Sequence, residues 1–257
     1  MTAFLVFYRK EWIEAVRSMR ALILFTVCLM LGILSPLLAK MMPDLMRNYK
    51  INGIAIHIPQ PTAVDAFTQY IHNFSQMGMA AVLLTFAGLL AQELAHGTLI
   101  IPLSKGLPRA AIIAAKYAYA LSLWSVCFAA SAAAQCLYTQ MLFHHLPARH
   151  VLLLLLCLWL FGAMLPALLL LFSTCVKGPL ASLGLSAACI AVFFTGQSFA
   201  HWEHWNPLAL ISGSVGLISG QTHSADVRAD VLAACMVTGA TLALAMIIFS
   251  HRALRDS

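Results

Sequence analysis

Groups able to do chemistry or to hold a partner collect between Gln92 and Lys116, where the chain reads QELAHGTLIIPLSKGLPRAAIIAAK. Glu93, Lys105, Arg109 and Lys116 carry charge between two long apolar runs that have almost none. Gly97, Pro102, Gly106 and Pro108 interrupt the stretch too often for one full-length helix. Leu94, Leu99, Ile100, Ile101, Leu103 and Leu107 keep it half apolar. The pattern predicts a short amphipathic helix at a membrane surface, bounded by breaks and offered to a soluble partner. An ordinary loop between two membrane helices is the plainer alternative.

Two other clusters suggest chemistry. His201, Glu203 and His204 in HWEHW resemble metal ligands, but the spacing is not HExxH, and on a helix only the two histidines share a face. His144, His145 and His150 in HHLPARH are similarly placed near a span end, where Trp and His more often act as interfacial anchors. We therefore expect no metal site and no catalytic residue. There is no GxSxG nucleophile turn, and no GxxxxGK[ST] to cradle the phosphates of ATP. The apolar cores of the first, second, fourth and fifth spans hold no Asp, Glu, Lys, Arg or His. A carrier driven by protons or sodium needs such a group at mid-depth, so internally driven transport is disfavoured.

The elements that must position these residues follow from composition. The chain of 257 residues is 61% hydrophobic and 9% charged, where a soluble domain carries about a quarter charged residues. Several runs reach the roughly 20 apolar residues needed to cross a bilayer. The fold class is an all-α integral membrane protein with six transmembrane helices, at 21–39, 73–92, 109–142, 151–174, 180–199 and 229–250. Residues 4–20 form an amphipathic, interfacial helix: Phe4, Tyr8, Trp12, Val16 and Met19 recur at helical spacing, with Arg9, Lys10, Glu14, Arg17 and Ser18 opposite. Residues 40–72 are a polar excursion, and the Gly- and Ser-rich segment 200–224 fits a re-entrant or interfacial hairpin. All seven cysteines sit in apolar runs without ligand spacing, so they are small hydrophobes. No cleaved signal peptide is expected.

With the N-terminus inside, Lys and Arg are twice as frequent on the inner side, which places both termini and the 93–108 region in the cytoplasm. The net charge of +6 is explained by this asymmetry and by contact with membrane lipid, and no nucleic acid is implied.

This order of elements resembles the permease subunits of bacterial ATP-binding-cassette exporters of the ABC type-2 class. The similarity covers essentially the whole chain. Its strongest points are KEWIEAVRSMRAL near the start and ELAHGTLIIPLSKGLPR after the second span. The second matches a family pattern of Glu93, Gly97, Thr98, Leu99, Pro102, Ser104, Arg109 and Lys116; Lys105-Gly106 in the turn departs from it. The resemblance implies a non-catalytic half-transporter in the bacterial cytoplasmic (inner) membrane. Two permeases, identical or different, would pair and each engage a separate ATPase, which binds ATP and Mg. Glu93, Gly97, Thr98, Leu99, Pro102, Ser104, Lys105 and Arg109 would form the coupling region, and the elbow helix with Tyr8, Arg9, Lys10, Trp12 and Arg17 would support it. The second and fifth spans would line the pathway, with Ser75, Gln76, Thr85, Ser182, Ser186 and Gln197 as polar contacts. The alternative is a passive channel, scaffold or sensor without ATP coupling. Substrate identity is not legible; the apolar route leans toward a lipophilic, amphipathic or peptide cargo.

Overall fold

The longest helix, Arg109–Phe143, forms the axis against which most of the chain is laid. The computed structural model describes residues 2–48, 60–99, 104, 108–145, 150–176, 178–196, 210–211, 213, 216 and 224–251. In chain order these form α1 (Thr2–Arg17), α2 (Arg20–Asn48), α3 (Ala63–Asn73), α4 (Met79–Phe86), α5 (Ala91–Ala95), α6 (Arg109–Phe143), α7 (Val151–Cys175), α8 (Pro179–Gly196) and α9 (Ser224–His251). A π-helical turn, Phe74–Gly78, joins α3 to α4. The protein is all-helical over the described residues, and six stretches are long and apolar enough to cross a membrane: Arg20–Met42, Ala63–Ala95, Arg109–Phe143, Val151–Cys175, Pro179–Gly196 and Ala229–His251. Most of the 200–224 segment lies outside the described residues, as do Pro102, Lys105 and Gln197.

Two boundaries differ from the sequence expectation. The first span continues helically through Lys40 to Asn48, and the second begins at Ala63, ten residues before the expected start at residue 73. A capping box explains the early start: the Thr62 hydroxyl accepts from the Asp65 amide, while Asp65 Oδ2 accepts from the Thr62 amide at 2.7 Å. These bonds satisfy amides that would otherwise be unpaired at the helix start.

Close approach between α2 and α6 depends on Gly32. A Cβ there would lie 2.3 Å from the Ser131 carbonyl oxygen. Ser131 in turn donates to the Cys28 carbonyl at 2.6 Å and shares a 3.1 Å hydrogen bond with Tyr70 of α3. Asn73 donates to Ser35 (3.1 Å) and Gln135 to the Ala66 carbonyl (3.1 Å), so polar bonds stitch α2, α3 and α6 where the hydrophobic effect gives little within lipid. On the other flank Gly162 of α7 receives the Trp124 ring of α6, whose indole donates to the Trp159 carbonyl at 2.9 Å. α7 is the most enclosed span, buried over nearly its whole length from Leu160 to Leu170, whereas α8 buries only Ser182, Ser186, Ile190 and Gly196.

Side-chain bonds mark the two ends of the bundle. At one end Arg20 donates to Gln92 (2.8 Å) and Arg109 to the carbonyls of Phe249 and Ser250 (3.2 and 3.1 Å). At the other, Lys40 reaches the Leu142 carbonyl at 3.3 Å. The starts of the first and third spans and the ends of the second and sixth therefore meet at one end, together with α1.

Candidate functional site

The second span does not run out smoothly. After α4 the residues Ala87–Leu90 form a turn before α5 resumes. Breaking the helix frees carbonyl groups, and buried carbonyls need donors. Two side chains from other spans supply them: Ser182 of α8 reaches the Ala87 carbonyl at 3.4 Å, and Lys116 of α6 reaches that of Leu89 at 2.6 Å. α5 then stops at Gly97, which has φ 66°. The Thr98 amide donates to the Glu93 carbonyl (3.2 Å) and the Gly97 amide to that of Leu94 (3.4 Å), the paired bonds of a Schellman stop. Glycine adopts this left-handed conformation without a Cβ penalty.

Lys116 is the centre of a charged clasp. Its ammonium is fully buried, 2.9 Å from Glu11 Oε1 of α1 and 2.7 Å from Glu93 Oε2 of α5. The Glu93 contact is an ion pair off the hydrogen-bond axis, while that to Glu11 is a hydrogen bond. Lys10 closes the ring: it bonds Glu93 Oε1 and lies 3.5 Å from Glu11 and 3.4 Å from the exposed Glu14. Both ammonium groups also sit over the Phe7 ring, at 5.1 and 5.5 Å. Two lysines thus face two enclosed carboxylates, which balances charge where an unpaired ion would be very costly. Burial pushes the Glu11 carboxyl above the ordinary glutamate value, opposed by the charge of Lys116 and assisted by that of Glu93. Burial works against the Lys10 ammonium, yet Glu93, Glu11 and Glu14 outweigh it and hold its pKa above that of an ordinary lysine.

Packing fixes α1 in place around this clasp. Tyr8 donates to Ser122 at 2.9 Å, and the rings of Trp12 and Tyr119 meet edge-on at 5.8 Å. Glu11 lies between these contacts on the buried face of α1, with Phe7 and Ala15. The arrangement makes α1, the end of the second span and the start of the third one mechanical unit. Among the described residues no group of three or more His, Cys, Asp or Glu is placed to hold a metal ion, and nothing in the clasp is a nucleophile poised beside a base.

Residues 5–210 match the family model described as ABC-2 family transporter protein. The chain belongs to the ABC-2 transporter family. It is a multi-pass membrane protein of a transport permease family. It is also 24% identical over 145 residues to YxlG, an uncharacterised transmembrane protein of Bacillus subtilis (strain 168), a match spanning 56% of each chain. No solved structure matches.

Within this ABC-2 protein the residues expected to contact a partner are distributed unevenly. Glu93 is turned inward, its side chain 12% exposed, and Leu99 is buried. Arg109 caps the last helix, neutralising carbonyls at its negative end. Thr98 and Ser104 are exposed. Of the elbow residues, Tyr8 and Trp12 pack on α6, Lys10 joins the clasp, and Arg9 and Arg17 face outward. Of the polar residues assigned to the pathway, Ser75, Ser182 and Ser186 are buried and bond to backbone carbonyls, Thr85 is half-buried, and Gln76 is exposed. Ser75 and Gln76 lie in the π-helical turn.

Sequence alone does not join Glu11 and Lys116 to Glu93 as one site. The signal is present: Glu11 falls on the same helical face as Phe4, Phe7, Tyr8, Trp12 and Ala15, and Lys116 stands alone in AAIIAAKYAYALS. One charge on each of two apolar faces is a pairing signal.

Proposed function

We propose that the chain is the membrane permease subunit of an ATP-driven exporter in the bacterial cytoplasmic membrane, with both termini in the cytoplasm. Two such permeases form the pathway, and each engages a separate ATPase that binds ATP with Mg and does the hydrolysis. Family membership supports the transport role. The clasp carries the coupling reading: Lys116 joins the base of the second and third spans to α1, directly beside the segment expected to meet the ATPase. A displacement of that segment is then passed to three elements together, as a rigid lever passes force. The basic residues support the orientation, because Arg9, Arg17, Arg20 and Arg109 gather at the α1 end.

The test is co-expression with a candidate ATPase, followed by co-purification and reconstitution. The ATPase is expected to co-purify, and Glu93→Ala is expected to insert normally while hydrolysis no longer drives transport. Transport by the permease alone, or labelling of Lys105 from the outer side of intact cells, would overturn the proposal.

A further inference from the structure

We propose that the outward face of α1 is a docking surface for anionic phospholipid headgroups, held by Arg9 and Arg17. The amphipathic pattern turned Tyr8 and Trp12 toward the bilayer, but both pack on α6, with Phe7, Glu11 and Ala15 buried beside them. What remains outside is a second apolar stripe, Leu5, Val6, Ile13 and Val16, exposed by 60%, 69%, 46% and 62%. A shallow groove of about 740 Å³ borders it, lined by Val6, Arg9, Lys10, Ile13, Glu14 and Arg17.

The charges on this face do not cancel. Lys10 and Lys116 balance Glu11 and Glu93, which leaves exposed Glu14, 3.4 Å from Lys10, as one carboxylate against the two guanidinium groups of Arg9 and Arg17. Arg9 and Arg17 are exposed and carry no ion pair or hydrogen bond among the described residues. They stand eight residues apart, roughly 12 Å along the axis, which is the spacing of separate headgroups rather than of one bidentate ligand.

Position selects lipid over a soluble partner. Arg17 is three residues from Arg20, where the apolar window of α2 begins, so the end of this face lies within roughly 10 Å of the bilayer boundary. Exposed Leu22 (58%) and Ile23 (56%) of α2 continue the apolar surface into that window. An apolar stripe edged by unpaired guanidinium groups at this depth fits acyl chains below and phosphates above. The inference requires only that the protein crosses a membrane, so it and the ATP-coupling proposal can fail separately.

The full chain, purified in detergent, is offered equal amounts of phosphatidylglycerol and phosphatidylcholine, re-isolated, and its bound lipid counted by native mass spectrometry. Wild-type protein is expected to enrich phosphatidylglycerol. The enrichment should fall roughly fivefold for each arginine removed in Arg9→Gln and Arg17→Gln, and persist largely in Arg9→Lys/Arg17→Lys. Rising salt should weaken it in the wild-type protein, a readout that needs no variant. Inorganic phosphate at matching concentration should not displace the lipid. Equal binding of both lipids, salt-insensitive retention, an unchanged double Gln variant, or displacement by phosphate would each overturn the proposal.

Discussion

Glu93 Oε2 stands 2.7 Å from Lys116 Nζ, joining the last turn of the second span to the second turn of the third. The loop between these residues contains the stretch in which sequence reading placed the coupling contacts, so the ion pair closes its base like a drawstring.

Lys116→Met should be among the most damaging single substitutions in the chain. It leaves two enclosed carboxylates without their shared cation, a loss of about 3–5 kcal/mol for a broken buried pair. Thermal unfolding in detergent measures this. The triple variant Glu11→Gln/Glu93→Gln/Lys116→Met should recover much of the stability, because no unpaired charge remains. Stability in the triple variant no better than in Lys116→Met would mean that the ionic pairing is not what matters at this site.

Glu11 gives the site a pH dependence of defined sign. Its folded pKa is raised above the ordinary value of 4.5. Its contribution to stability is therefore full below that value and is lost as pH rises through the raised pKa. Glu11→Gln stays neutral and should not show this loss. The melting temperature of the variant relative to wild type should rise between pH 4.5 and neutrality, and a difference that stays flat or falls over this window would refute the assignment.

Gly97→Ala should act locally. A Cβ at φ 66° is strained by about 1 kcal/mol, and the bonds from Thr98 and Gly97 to the Glu93 and Leu94 carbonyls should loosen. Hydrogen exchange at Thr98 should quicken while global melting changes little. Unchanged exchange would show that the stop does not depend on this glycine.

Four glycines separate close packing from open space. Gly32→Ala would meet a backbone oxygen at 2.3 Å, and Gly162→Ala the Trp124 ring at 2.0 Å, a ring pinned by its own hydrogen bond. Each should cost about 1–3 kcal/mol. Gly184 and Gly239 have nothing within 4 Å of an added Cβ, so alanine there should be neutral or slightly stabilising. Melting of the four variants checks the order.

The helical class and the six spans were legible because a bilayer demands long apolar runs, and these survive without knowledge of any contact. Boundaries were less legible. Lys40 opens the polar excursion of the sequence, yet the helix continues to Asn48, and the Thr62–Asp65 capping box that starts the next helix lies inside the same 40–72 segment. The face of α1 was misjudged for a physical reason. Tyr8 and Trp12 suit a membrane interface and a protein interface equally well, and only their partners Ser122 and Tyr119 distinguish the two. Glu93 and Lys116 stood out by charge, but their pairing is a tertiary fact spanning 23 residues, with Glu11 a further 82 away from Glu93.

Helix α6 has 35 residues, a rod about 52 Å long, while the oily layer of a bilayer is about 30 Å thick. Even inclined by about 40° it would overshoot by about 10 Å. Toward the α1 end, from Lys116 to Ser122, that rod is the post on which Glu11, Trp12 and Tyr8 pack. A rod longer than the layer it crosses can carry such a post without giving up its crossing.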